Sequence, residues 1–161
     1  MNLTSFYLKE SQNSDGRYLE EIWAWSDDDW EMEHDFIQHL FPTDQASAFN
    51  ADAPILDETT IKEWHQDRLL QHNLRLSYER WLRYCGIERV DGKLHLADRK
   101  PNVWGRFNHN WLRITRVLKS LTLLGLVTEA KEFFQLLREL RETGSVAVGD
   151  ETWRHWSGAM M

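Results

Sequence analysis

The sequence predicts an all-α fold: a single domain of five to six helices around a central helix, with one small β-hairpin. Three observations carry this. Apolar residues recur at helical spacing over 57–85, 107–124 and 128–142. Gly86, Gly125 and Gly144 stand just past the ends of those stretches, where helices stop. Only one stretch, IERVDGKLHL (87–96), alternates as a strand does, and Asp91-Gly92 at its centre signals a tight hairpin turn.

In order along the chain, residues 1–13 are polar and expected to be a flexible N-terminus, with the domain proper over 14–161. Ser14 or Asp15 is a candidate cap for a short helix carrying Leu19, Ile22 and Trp23. Ser26 is the next N-cap, followed by Asp27, Asp28 and Asp29 at the positive end of a helix expected to run to Phe41, because Pro42 disfavours helical geometry before it. Residues 43–56 read as a loop, and Asp57 caps one long helix to Cys85. Residues 97–106 form a connector. Asn108 or Asn110 starts a helix to Leu124. Its residues Phe107, Trp111, Ile114, Val117, Leu118 and Leu121 make one apolar face, with Leu112 and Leu123 nearly opposite. A helix apolar on two sides is expected at the centre of the fold. Thr128 caps the next helix, and a last short one starts at Asp150 with Trp153 and Trp156.

Composition narrows the function. The chain has 161 residues, a net charge of −7 and nine tryptophans. The acidity argues against nucleic-acid or anionic-membrane binding, including through the basic stripe Arg106, His109, Arg113, Arg116 and Lys119. The tryptophans point to a well-packed core and to an aromatic-lined groove. The single cysteine, Cys85, excludes an internal disulfide and a cysteine zinc site, and cytoplasm is the simplest compartment. There is no signal-peptide pattern and no apolar run of membrane-spanning length.

The polar run HDFIQHLFP (34–42) holds the candidate chemistry. Glu31 and His34 have a Glu-x-x-His spacing that places both on one helical face, and Asp35 and His39 are one turn apart. A metal site or enzyme centred on Glu31, His34, Asp35 and His39 is therefore the alternative reading. It lacks a second Glu-x-x-His, so neither metal nor cofactor is expected. The leading reading makes Phe36, Ile37, Leu40 and Phe41 core anchors, with His34, Asp35 and Gln38 tying down the 43–56 loop. Arg113 and Arg116, enclosed on a central helix, would pair with Asp35 or with Asp27 to Asp29.

Two stretches, MEHDFIQHLFPTDQASAFNADAPIL and NHNWLRITRVLKSLTLLGLVTEAKEFFQLL, resemble the conserved region of the opioid growth factor receptor family, over about Arg17 to Arg141. His39 stands where that family has Trp, and Phe36 where it often has Tyr. The resemblance implies a stand-alone, microbial version of that domain: a non-enzymatic binding domain for a peptide, protein or small-molecule ligand. Its expected ligand-binding residues are His34, Asp35, Gln38, His39, Asn110, Arg113 and Arg116.

Overall fold

The computed structural model describes residues 1–98 and 101–161. Among them are nine α-helices: α1 (Leu3–Tyr7), α2 (Leu19–Ala24), α3 (Asp27–Met32), α4 (Ile37–Leu40), α5 (Glu58–Gln66), α6 (Arg68–Tyr84), α7 (His109–Leu123), α8 (Val127–Glu142) and α9 (Asp150–Ala159). One antiparallel hairpin, β1 (Ile87–Val90) and β2 (Lys93–Leu96), pairs Ile87 with Leu96 and Val90 with Lys93. The mainly α architecture and the position of the hairpin are as the periodicity predicts. Asp91 and Gly92 both have positive φ (51° and 77°), the backbone that a tight two-residue turn between twisted strands requires.

Helices α6 and α7 are the long central elements. Helix α7 packs on α8 and α9, while α6 packs on α1, α5 and the hairpin. Between them lies an aromatic core. Trp30 stands 4.9 Å from Phe36 and 5.6 Å from Tyr84 between ring centroids, and Trp81 is 5.7 Å from Tyr84. The tryptophans are structural: six are buried and Trp23, Trp25 and Trp153 pack half-buried against the core. Most of their indole N–H groups are paired, as Trp104 to the Cys85 carbonyl (2.7 Å) and Trp111 to that of Val103 (2.8 Å).

The structure divides two helices that the periodicity joins. Asp67 interrupts 57–85, ending α5 and capping α6 with 2.9 Å bonds from the Leu69 and Leu70 N–H groups. The helix begun at Ser26 stops at Met32, and the chain is extended at Glu33 before α4. Two starts also shift. Tyr18 rather than Ser14 or Asp15 precedes α2, its N–H held by the Glu21 carboxylate (2.6 Å), and Leu126 rather than Thr128 precedes α8. The first 13 residues, expected to be loose, form α1 and bury Phe6 and Tyr7. The Tyr7 hydroxyl donates to the Leu40 carbonyl (2.6 Å), tying the N-terminus to α4. The connector expected over 97–106 includes residues 99 and 100, which lie outside the described residues; Asn102–Trp104 forms a single 3-10 turn.

Short helices leave terminal carbonyls without intrahelical partners. In α2, α3 and α4 these are met by arginines of the two long helices. Arg80 of α6 donates to the Trp23 (3.0 Å) and Trp25 (2.8 Å) carbonyls at the end of α2. Arg113 of α7 donates to Trp30 and Glu33 at the end of α3, both at 2.6 Å. Arg116 donates to Phe41 (3.2 Å) at the end of α4. A cation at a helix C-terminus also complements the helix dipole.

Candidate functional site

Helix α7 presents His109, Leu112, Arg113, Arg116 and Lys119 along one side, at steps of three and four residues. Opposite them stand His34, Ile37 and Gln38 around α4 and the loop residues Thr43 and Gln45 to Phe49. His155 of α9 closes one end. Together they line a groove of about 550 Å³. The loop is closed by its own backbone: Thr43 bridges Ile55, and the Leu56 N–H donates to the Thr43 carbonyl (2.8 Å).

The lining has two characters. Ile37, Ala46, Ala48, Phe49 and Leu112 form its apolar part, and Phe49 and Leu112 are 78% and 45% exposed. With them are Arg113, Arg116, Lys119 and three histidines, and among the described residues no aspartate or glutamate lines the groove. Among the described residues no tryptophan lines it, and Phe49 supplies its large apolar ring.

The predicted ligand-binding residues divide. His34, Gln38, Arg113 and Arg116 line the groove, whereas Asp35, His39 and Asn110 do not. Asp35 is exposed beside it. Gln38 is buried, and with its amide nitrogen turned toward the chain it donates to the Asp35 (3.0 Å) and His34 (3.3 Å) carbonyls. It therefore braces the turn into α4 rather than tying down the loop. His39 is buried on another side, its ring nitrogens 3.0 Å from Asn13 Nδ2 and 3.4 Å from Ser14 Oγ, its ring edge against Phe6. Burial pushes its pKa down, against the pull of Asp15 and Asp35. His39 thus lies outside the groove lining.

Asn110 belongs to a buried polar network. Its Nδ2 donates to Glu31 Oε2 (3.0 Å), and its Oδ1 faces the Tyr84 hydroxyl (2.9 Å) and Arg113 (3.2 Å). Tyr84 also hydrogen-bonds Glu31. Burial raises the Glu31 pKa, but these hydrogen bonds and the charges of His109 and Arg113 together bring it below the usual range. His109 Nε2 lies 3.2 Å from Glu31 Oε1 and links this network to the groove.

Two expectations are corrected here. Glu31, His34, Asp35 and His39 do not converge, because the chain turns between Met32 and Ile37 and sends His39 to the N-terminal segment. Among the described residues no group of three or more His, Cys, Asp or Glu is placed to hold a metal. Nor do Arg113 and Arg116 pair with Asp35 or the Asp27–Asp29 cluster. Asp27 takes Arg80 (2.9 Å), while both groove arginines donate to carbonyls. Carbonyl acceptors leave no sequence signature, and that is why the carboxylates looked the better partners. The periodicity of α7 singled out His109 and Lys119. The contributions of Thr43, Gln45 to Phe49, Leu112 and His155 were not visible without the fold.

The chain matches the model of the family described as "Opioid growth factor receptor (OGFr) conserved region" over residues 1–144, so α9 lies beyond the match. It is 34% identical to opioid growth factor receptor-like protein 1 of Mus musculus over 133 residues, 77% of this chain and 28% of that protein. It is likewise 34% identical to the Xenopus tropicalis protein of that name over 133 residues, 26% of its length. With the opioid growth factor receptor of Homo sapiens it shares 34% over 132 residues, 76% of this chain and 19% of that protein. The match thus spans 19% to 28% of these relatives' length. No solved structure matches the chain. On the extent of the family match and these identities, the chain belongs to the opioid growth factor receptor conserved-region family.

Proposed function

We propose that the protein is a non-enzymatic binding domain whose ligand, a peptide, protein or small molecule, seats in the groove between α4, the 43–56 loop, α7 and α9. The observation that carries this is the lining itself: an exposed apolar strip beside a row of basic side chains, in a volume typical of ligand sites. The relatives' names describe receptors, and ligand recognition is the part of that description taken over here. Binding in the cytoplasm fits a chain with one cysteine, Cys85, buried and with its thiol pKa pushed up by burial. Among the described residues no helix is long and apolar enough to cross a membrane.

The test is amide chemical-shift mapping with a panel of short peptides and small aromatic acids. Hits should perturb Phe49, Leu112 and Lys119 together. They should vanish in Leu112→Asp, a change at an exposed position that leaves the fold intact. Hits that map elsewhere and survive Leu112→Asp refute the assignment.

A further inference from the structure

Resting on that groove being the binding site, we infer that its occupant is a small phosphate monoester with an apolar body. The first ground is charge. The chain carries −7 overall, so a dianion approaching most of the surface is repelled. The groove departs from this. It gathers Arg113, Arg116, Lys119, His34, His109 and His155 with no carboxylate among its described lining residues.

The second ground is which of these donors are already engaged. Arg113 spends its donors on the Trp30 and Glu33 carbonyls and on Asn110, and His109 sits against Glu31. Arg116 makes one bond, to the Phe41 carbonyl, and forms no ion pair among the described residues. Lys119, one turn further along α7, has no ion pair or hydrogen bond there either. Elsewhere Arg75 takes Glu129, Arg89 takes Glu79 and Glu132, and Arg141 takes Asp150, while six others, Arg17, Arg68, Arg83, Arg106, Arg138 and Arg154, form no ion pair among the described residues; what sets Arg116 and Lys119 apart is that they are neighbours on one face inside a groove. Two neighbouring cations left over on one helical face, with His34 and His155 beside them, offer donors to an oxyanion of more than one charge. A phosphate monoester carries about −1.5 to −2 near neutral pH and presents three acceptor oxygens.

The third ground is the apolar strip. Phe49 and Ile37 stand opposite the cations and Leu112 lies beside them on α7, so the anion has an apolar body attached and inorganic phosphate alone would leave the exposed Phe49 and Leu112 in water. The volume, about 550 Å³, suits a small organic molecule.

Isothermal titration with phenyl phosphate, inorganic phosphate, benzoate and phenol decides the matter. Phenyl phosphate is expected to bind at least about tenfold more tightly than each of the others, one charge-assisted contact being worth about that factor. Lys119→Gln and Arg116→Gln are each expected to weaken it about tenfold, and added salt to weaken it further. Lys119→Gln is the decisive variant, since Lys119 holds no part of the fold. If benzoate binds as tightly, the phosphate assignment fails while the groove reading stands. If phenol binds as tightly, the cations play no part and the inference fails. A phosphotyrosine peptide binding far more tightly than phenyl phosphate would overturn the small-molecule occupant in favour of a protein partner. If no probe binds, the inference is wrong, and shift mapping with unphosphorylated peptides judges the groove separately.

Discussion

Replacing Arg113 tests the account of the fold most directly. The side chain is 5% exposed and has no carboxylate in contact. It donates to two carbonyls at 2.6 Å and to Asn110 at 3.2 Å, with its guanidinium 5.2 Å above the Phe36 ring. Arg113→Met keeps much of the stem volume and removes the donors. The Trp30 and Glu33 carbonyls then lose their partner, at about 1–3 kcal/mol each, and Glu31 loses a nearby cation. Part of this is returned because an arginine need no longer be desolvated, the penalty that pulls its own pKa down. The net loss is about 3 kcal/mol. For a chain of this size that corresponds to a fall of about 6–12 °C in Tm. Arg116→Met gives the internal comparison. Arg116 is half-buried and makes one bond of 3.2 Å, so about 1 kcal/mol is expected. Urea unfolding of both variants, followed by tryptophan fluorescence, measures the difference. Equal losses, or an Arg113→Met variant melting within two degrees of the parent, refute the claim that Arg113 holds the end of α3. Arg113→Lys should fall between, since an ammonium cannot reproduce the planar fork that spans two carbonyls.

Other outcomes follow from the same geometry. Asp67→Ala removes the acceptor for two N–H groups at the start of α6 and should cost about 1 kcal/mol by urea unfolding. Gly92→Val forces a β-branched residue to a φ of 77° and should destabilise by about 1–2 kcal/mol, with the loss seen first in hairpin amide exchange. His39 is buried with its pKa below the ordinary value, so the unfolded chain takes up that proton first. Stability should therefore decline as pH falls below about 6.5, and His39→Gln should flatten the decline between about pH 7 and pH 5. Glu31, held below 4.5, adds a similar decline only at lower pH.

What could be read before folding was the periodicity. Helices α7 and α8, the hairpin turn and the caps at Ser26, Asp57 and Asn108 all rest on local patterns, and local patterns survive into the structure. The breaks at Asp67 and at Glu33 were missed for a common reason. Apolar spacing continues through both and masks the stop, which at Asp67 is a local side-chain cap on the next helix. At Glu33 the deciding partner is Arg113, 80 residues away. The N-terminal segment was misjudged because its polar composition hides Phe6 and Tyr7, each of which has no exposed surface. The groove was half legible. A basic stripe on one helix was plain, but neither the loop that faces it nor Leu112's exposure could be derived from spacing.

The arginines explain how the site and the fold are kept apart. A domain whose first four helices each have six residues or fewer cannot stabilise them by propensity, since short isolated helices are marginal. Here they are held from outside. Arg80 of α6 is clamped to α2, lies 4.5 Å above the Trp30 ring and has Asp27 as its counter-ion. One helix over, Arg113 does the same for α3 without a carboxylate in contact, and Arg116 makes a single bond to the end of α4. From Arg113 to Arg116, fewer of the guanidinium's needs are met within the chain. Lys119, beyond them, has none met. The sequence of steps runs outward along α7 into the groove, so the residues closest to the core fix the short helices and those furthest from it are left for a ligand. A variant at Lys119 should therefore change binding without changing stability, whereas one at Arg113 should lower stability and lose binding as a consequence.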